Sequence, residues 1–173
     1  MKKIFIVCFL IVSAFGWSQK TQPKKPAASE WDELDKAFVA LFNALQKDDK
    51  PAFMALSLQG IDCIGCVREH QSTGDYNFVA AEVFYNTIAP SFIKSPVYKA
   101  LTTRGYTFGT ITLNDYKPVT MPKDSPKDLK IYEVWVPTYL ANELSKGHPG
   151  SSTGFQFVKI KGKFKFYGLT SIP

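Results

Sequence analysis

Residues 154–169 read GFQFVKIKGKFKFYGL, two alternating runs on either side of a short turn. Phe155 and Phe157 alternate with Gln156 and Val158, and Phe164 and Phe166 alternate with Lys163, Lys165 and Tyr167. A side-chain period of two marks a β-strand. Only Lys161-Gly162 stands between the two runs, Gly154–Ile160 and Lys163–Leu169, so they pair antiparallel. A two-residue turn there sets Ile160 against Lys163, Lys159 against Phe164, Phe157 against Phe166 and Phe155 against Gly168. Phe155, Phe157, Phe164 and Phe166 then share one face, and Val158, Ile160, Lys163, Lys165 and Tyr167 share the other. A bulged three-residue turn would set Phe157 against Lys165 instead, and a slip of one residue is costly where one face is buried.

Two more alternating runs precede this hairpin, Tyr106–Tyr116 and Lys130–Leu140. The connectors KPVTMPKDSPKD and SKGHPGSSTG are rich in turn-forming residues. Within Lys130–Leu140, Tyr132, Val134, Val136 and Leu140 form an apolar face expected to meet the helices. Ile131, Glu133, Trp135, Pro137 and Tyr139 form a mixed, aromatic face. Pro137 cannot donate to a ladder, which places that stretch at an edge or a bulge.

The N-terminal half has helical periodicity. Trp31, Leu34, Phe38, Leu41 and Leu45 fall on one stripe of a helix over Ser29–Lys47. Ser29 is its expected N-cap, with Asp32 three residues on, and Glu30, Asp32, Glu33 and Asp35 crowd the positive end of the helix dipole. Asp48-Asp49-Lys50-Pro51 reads as a stop and restart, followed by a short helix Ala52–Leu58 that Gly60 ends. Ile61–Val67 reads as a short strand or a crossing loop. Asn77 is the expected cap of a third helix, Phe78–Ala89, and Ser95-Pro96 opens a fourth that Gly105 closes.

Helices first and a strand meander last make an α+β domain, with helices on one face of a curved, mostly antiparallel sheet. The element order, the Asp-rich joint QKDDKPAF and the paired terminal strands resemble the NTF2-like (cystatin-like) superfamily over about residues 29–173. The helix at 95–104 and the CIGC insert lie outside that pattern. The resemblance implies a cone in which the sheet wraps the first helix, often around an apolar pocket. Phe38, Phe42, Phe155, Phe157, Phe164 and Phe166 are the candidate pocket residues. Trp135, Tyr139 and Tyr167 are candidates for an apolar patch on the outer sheet face.

The chain carries 21 basic and 15 acidic residues, a net charge of +6, which invites a nucleic-acid reading. Its segments argue otherwise. Lys2 and Lys3, the apolar run Ile4–Phe15 and the small residues Gly16 and Ser18 read as a signal peptide over 1–18, too short to span a bilayer. Cys8 lies inside the apolar run and not at the cleavage site, so a lipoprotein is not expected. Residues 19–28 form a basic tether with Lys20, Lys24 and Lys25. The remaining single domain, 29–173, has 16 basic against 15 acidic residues and gives no electrostatic reason to bind nucleic acid. Export to the periplasm or beyond the cell is the expected address, with no transmembrane segment after cleavage.

Two cysteines follow the expected cleavage point, Cys63 and Cys66, and an even count in an exported protein favours a disulfide. So short a loop contributes about 2 kcal/mol and pins a local turn. A redox-active pair is the sharper reading, but no βαβ unit surrounds the motif. Cys63, Cys66 and His70 make only one zinc knuckle, and His148 is far along the chain, so no metal is expected. Val67 follows Cys66, which rules out the C-x-x-C-H haem pattern. His70 is a weak candidate general base, oriented by Asp75 or Glu69, or a solvent-facing loop residue. GHPGSSTG lacks the G-K-[ST] ending of a phosphate loop.

With no convergent catalytic set and no expected cofactor, the sequence reads as an exported, non-enzymatic domain. It would bind a small apolar ligand or a protein partner through the sheet face or a cone pocket. The alternatives are a pocket enzyme, working by acid/base chemistry or thiol redox at CIGC, and a structural protein of the cell envelope. A homodimer through the sheet fits either binding reading.

Overall fold

A computed structural model describes residues 29–67 and 77–172. The expected signal peptide and tether, and His70 with its neighbours Glu69 and Asp75, lie outside the described residues. The described chain is α+β, with a curved, open, six-stranded sheet in the order β2 (Phe78–Ala80), β1 (Ser57–Asp62), β6 (Lys163–Ile172), β5 (Ser151–Ile160), β4 (Leu129–Tyr139), β3 (Thr107–Leu113). No helix among the described residues is long and apolar enough to cross a membrane.

Helix α1 (Glu30–Gln46) begins at the expected cap. The Ser29 hydroxyl accepts from the Asp32 N–H while the Asp32 carboxylate accepts from the Ser29 N–H, a reciprocal capping box. The Ser29 contact with Asp32 holds that carboxyl below its usual range. Leu34, Phe38, Leu41 and Leu45 are buried along the stripe. Trp31 ends the stripe half-exposed, stacked on Phe108. Glu30 accepts from the Tyr132 hydroxyl at 2.8 Å, and Glu33 pairs with Lys159 at 2.8 Å, which pins the start of α1 to the sheet.

Helix α2 (Lys50–Leu56) starts at Asp49, whose side chain accepts from the Ala52 N–H. It stops before Leu58, contrary to the periodicity. Residues Ser57–Asp62 form strand β1, which pairs parallel with the last strand and antiparallel with β2 (Phe78–Ala80). Gly60 therefore sits within a strand and ends no helix. Phe78–Ala80 likewise becomes strand, and helix α4 (Ala81–Ile88) starts three residues later than expected. Its N-cap is Ala80, without a side-chain cap, so Asn77 does not serve that role. Both corrections have one cause: ladder partners distant in sequence outweigh local helical pattern. Between β1 and β2 lies the single turn α3 (Ile64–Val67). A 3₁₀ helix, Ala89–Lys94, then leads into α5 (Pro96–Arg104). Ser95 caps α5 through the Tyr98 N–H, and Gly105 leaves it at φ 76°.

The last four strands are β3 (Thr107–Leu113), β4 (Leu129–Tyr139), β5 (Ser151–Ile160) and β6 (Lys163–Ile172), each antiparallel to the next. Lys161 (φ 48°) and Gly162 (φ 76°) both take positive φ, as a two-residue hairpin turn of type I′ requires. Ile160 opposes Lys163 and Phe157 opposes Phe166, as expected. Beyond that pair the register shifts, so Gln156 opposes Gly168, and Phe155 opposes Leu169, not Gly168. Tyr167 is the extra residue of a bulge. In β4 the ladder shifts between Val136 and Tyr139, around Pro137. Leu140 falls past the strand and is exposed, so it does not join Tyr132, Val134 and Val136 on the helix face. Arg104 Nη1 donates to the Pro137 and Thr138 carbonyls at 3.1 and 3.0 Å, where β3 no longer pairs with β4.

The sheet carries a core on each face. Helices α1, α2 and α4 cover the phenylalanine face. On the outer face Leu58, Phe78, Leu129, Ile131, Val158 and Tyr167 are buried together with Met121, which arrives on the long β3–β4 connection. That connection lies close over β1: a Cβ on Gly60 would run into the Thr120 side chain.

Candidate functional site

The expected pocket on the phenylalanine face is filled by its own rings. Phe38 packs edge-on against Phe155 at 5.2 Å and Phe157 at 6.5 Å between ring centres, and Phe166 against Phe157 at 5.8 Å. Phe164 packs on Tyr132, and Phe42 stacks on Tyr98. Of the six candidates, Phe155 borders a cavity of about 110 Å³, together with Leu45, Phe84, Phe92 and Leu169.

The outer face holds a roomier site, assembled by the sheet register. One row of partners crosses five strands: Gly109 on β3, Glu133 on β4, Gln156 on β5, Gly168 on β6 and Asp62 on β1. The next row sets Thr107 against Trp135, Trp135 against Gly154, and Gly154 against Thr170. Two of these glycines are required. A Cβ on Gly168 would stand 2.5 Å from the Asp62 carbonyl oxygen, and one on Gly154 would stand 2.9 Å from the Trp135 ring. Gly154 thus lets the indole lie down on the sheet.

The polar groups of the row are bonded to one another. Trp135 Nε1 donates to Glu133 Oε2 at 3.1 Å, and Gln156 Nε2 donates to Glu133 Oε1 at 3.0 Å. Each carboxylate oxygen so engaged keeps further lone-pair capacity. Around them Ile111, Ile131 and Tyr167 supply apolar wall, and the groove encloses about 420 Å³. Asp62 and Glu133 give its lining two carboxylates, and no Lys or Arg among the described residues lines it. The arrangement suits a group with an apolar body and a hydrogen-bond-donating or cationic head.

The other sequence candidates are placed as follows. Trp135 is partly buried in this groove, and Tyr139 is partly buried at the end of β4. Tyr167 is no surface residue: it is 1% exposed, packed edge-on against Phe78, because Phe78 and Met121 cover the outer face where it projects. Cys63 and Cys66 form a disulfide, S–S 2.07 Å, and both are buried in the main core. His148 Nδ1 accepts from the Gly150 N–H within the β4–β5 connection. Among the described residues no cluster of three or more His, Cys, Asp or Glu could hold a metal ion. Sequence reasoning missed Gln156 and Asp62 as groove residues. Face alternation already put Glu133 and Trp135 together, but nothing local placed β1 beside β6.

No family model matches the chain, and no curated protein matches it. Among solved structures it is similar to a protein described as a calcium/calmodulin dependent protein kinase II association domain from Xanthomonas campestris. The two share 14% identity over 84% of this chain and 89% of that one, with a TM-score of 0.36.

Proposed function

We propose that this chain is an exported NTF2-like domain that works as a binding module, and that its binding surface is the outer groove around Glu133. The observation that carries the reading is the Glu133 carboxylate, oriented by Trp135 and Gln156 in a groove of about 420 Å³ whose walls include Ile111, Ile131 and Tyr167. Burying polar groups costs free energy unless they are bonded, and an acid held in place on a sheet face is set up to receive a donor. The favoured ligand has an apolar or aromatic body and an ammonium or similar donor head. The cavity on the phenylalanine face, at about 110 Å³, leaves little room for such a body.

The test follows the Trp135 indole N–H by NMR during titration with a panel of alkyl- and arylammonium ions and the matched neutral alcohols. Ammonium members are expected to shift it and alcohols to shift it less. Glu133→Gln is expected to remove the difference between the two sets. Equal response to both sets, or none to either, would sink the reading.

A further inference from the structure

The two edges of the sheet are finished differently. Strand β2 is three residues long and runs directly into α4. Strand β3 is seven residues long, keeps unbroken register with β4 from Thr107 to Leu113, and has no described strand on its other side. Proteins usually blunt such an edge with charged residues, proline or a bulge. The β3 sequence TFGTITL contains no charge and no proline, and its ladder shows no shift. Phe108 is 38% exposed and Ile111 45% exposed on opposite faces of this edge. Trp31 stacks on Phe108 with ring centres 5.7 Å apart, widening the apolar margin on the helix side.

We propose that β3 pairs antiparallel with β3 of a second copy of this chain, about a two-fold axis through Thr110, so that the two sheets become continuous. The argument for a second copy is the self-complementarity of the strand. Reflection about Thr110 sets Thr107 against Leu113, Phe108 against Thr112 and Gly109 against Ile111. Opposed residues share a face, so the exposed Ile111 of one copy meets the one β3 position without a side chain in the other. Space exists there: a Cβ on Gly109 would find Trp135 at 3.6 Å and Glu133 Oε2 at 3.7 Å, ordinary contact distances. Ile111 of the second copy thus lands beside the Trp135 indole and adds a wall to the outer groove. No like charges meet, because the strand has none. Alternate backbone N–H and C=O groups on the bare edge gain partners. The pairing concerns the edge of the sheet and holds whatever occupies the groove.

Sedimentation velocity on the protein purified after export, from micromolar to near-millimolar concentration, is expected to show a monomer–dimer equilibrium. Thr110→Lys puts two lysines face to face on the axis and is expected to weaken the dimer at least about tenfold. Gly109→Val fills the recess and is expected to weaken it as well. Thr110 is exposed and a Cβ on Gly109 meets Trp135 and Glu133 only at ordinary contact distance, and circular dichroism checks that both variants fold. In the unmutated protein, hydrogen exchange at alternate amides of Thr107–Leu113 is expected to slow as concentration rises. A monomer at every concentration, a dimer that both variants leave intact, or a dimer without protection of β3 would each overturn the proposal.

Discussion

The indole Nε1 of Trp135 donates to Glu133 Oε2 at 3.1 Å, two residues back along the same strand. Residues i and i+2 of a strand project from the same face, so this bond runs along the sheet surface. It requires a flat indole, and Gly154 on the neighbouring strand permits one.

Gly154→Ala is therefore expected to destabilise the fold. The added Cβ meets Thr170 Cγ2 at 2.8 Å and the Trp135 ring at 2.9 Å, and one of them must move. Overpacking of this kind costs about 1–3 kcal/mol. Urea unfolding gives the loss, and the Trp135 indole N–H resonance reports whether its bond to Glu133 survives. An unchanged midpoint with an unchanged resonance would refute the packing argument.

Phe166→Ala is expected to cost more, about 3–5 kcal/mol. Phe166 is fully buried and touches Phe53, Phe84, Phe155 and Phe157, which join α2 and α4 to the sheet. Removing the ring leaves a hole between rigid elements that cannot collapse around it. The measurement is the urea midpoint. Phe164→Ala, nearer the rim and against Tyr132, is expected to cost less.

Alkaline pH is expected to unfold the protein through two tyrosines. Burial pushes the Tyr85 and Tyr106 hydroxyls up to about 12, each helped by the carboxylate it donates to, Asp48 and Asp35 respectively. In the unfolded chain both ionise near 10. Above that pH the folded state holds protons that the unfolded state releases, so stability falls as pH rises from about 10 through about 12. Tyrosinate absorbance should show two late-titrating groups, and Tyr85→Phe with Tyr106→Phe should flatten the slope of stability against pH. A slope unchanged in the double variant would show that other groups carry it.

The Cys63–Cys66 bond is expected to resist mild reductant in the folded protein. Cys63 is 6% exposed and Cys66 3%, so reagent reaches the sulfurs only after local opening. Thiol titration with and without urea makes the comparison, and a rapid folded-state reaction would point to a redox role. Replacing both cysteines by serine is expected to cost about 2 kcal/mol from the lost short loop, with a further penalty for buried hydroxyls.

Much of the fold was legible because its determinants are local. The 3-4-3-4 spacing from Trp31 to Leu45 and the Ser29–Asp32 box set α1. Alternation on both sides of Lys161-Gly162 set the hairpin and put Phe155, Phe157, Phe164 and Phe166 on one face. The errors share a different character. Leu58 and Phe78 look helical beside their neighbours, yet both lie in strands whose ladder partners come from distant segments. Tyr167 alternates with Phe166 toward the outer face as read, yet Met121 and Phe78 cover that face, and neither adjoins it in sequence.

Local chemistry settles the α+β order, the capped first helix, the two-residue turn and which faces of the terminal strands are apolar. These follow from side-chain period, cap chemistry and turn dihedrals, which a few neighbouring residues settle. Long-range pairing alone inserts β1 between β2 and β6, brings Gly168 beside Asp62 past the bulge at Tyr167, and stands Glu133, Gln156 and Asp62 in one row. A ladder bond joins backbone groups that are alike in every residue, so no side-chain pattern names its partner. The partner is chosen when the whole core closes, and the groove on the outer face is a product of that choice.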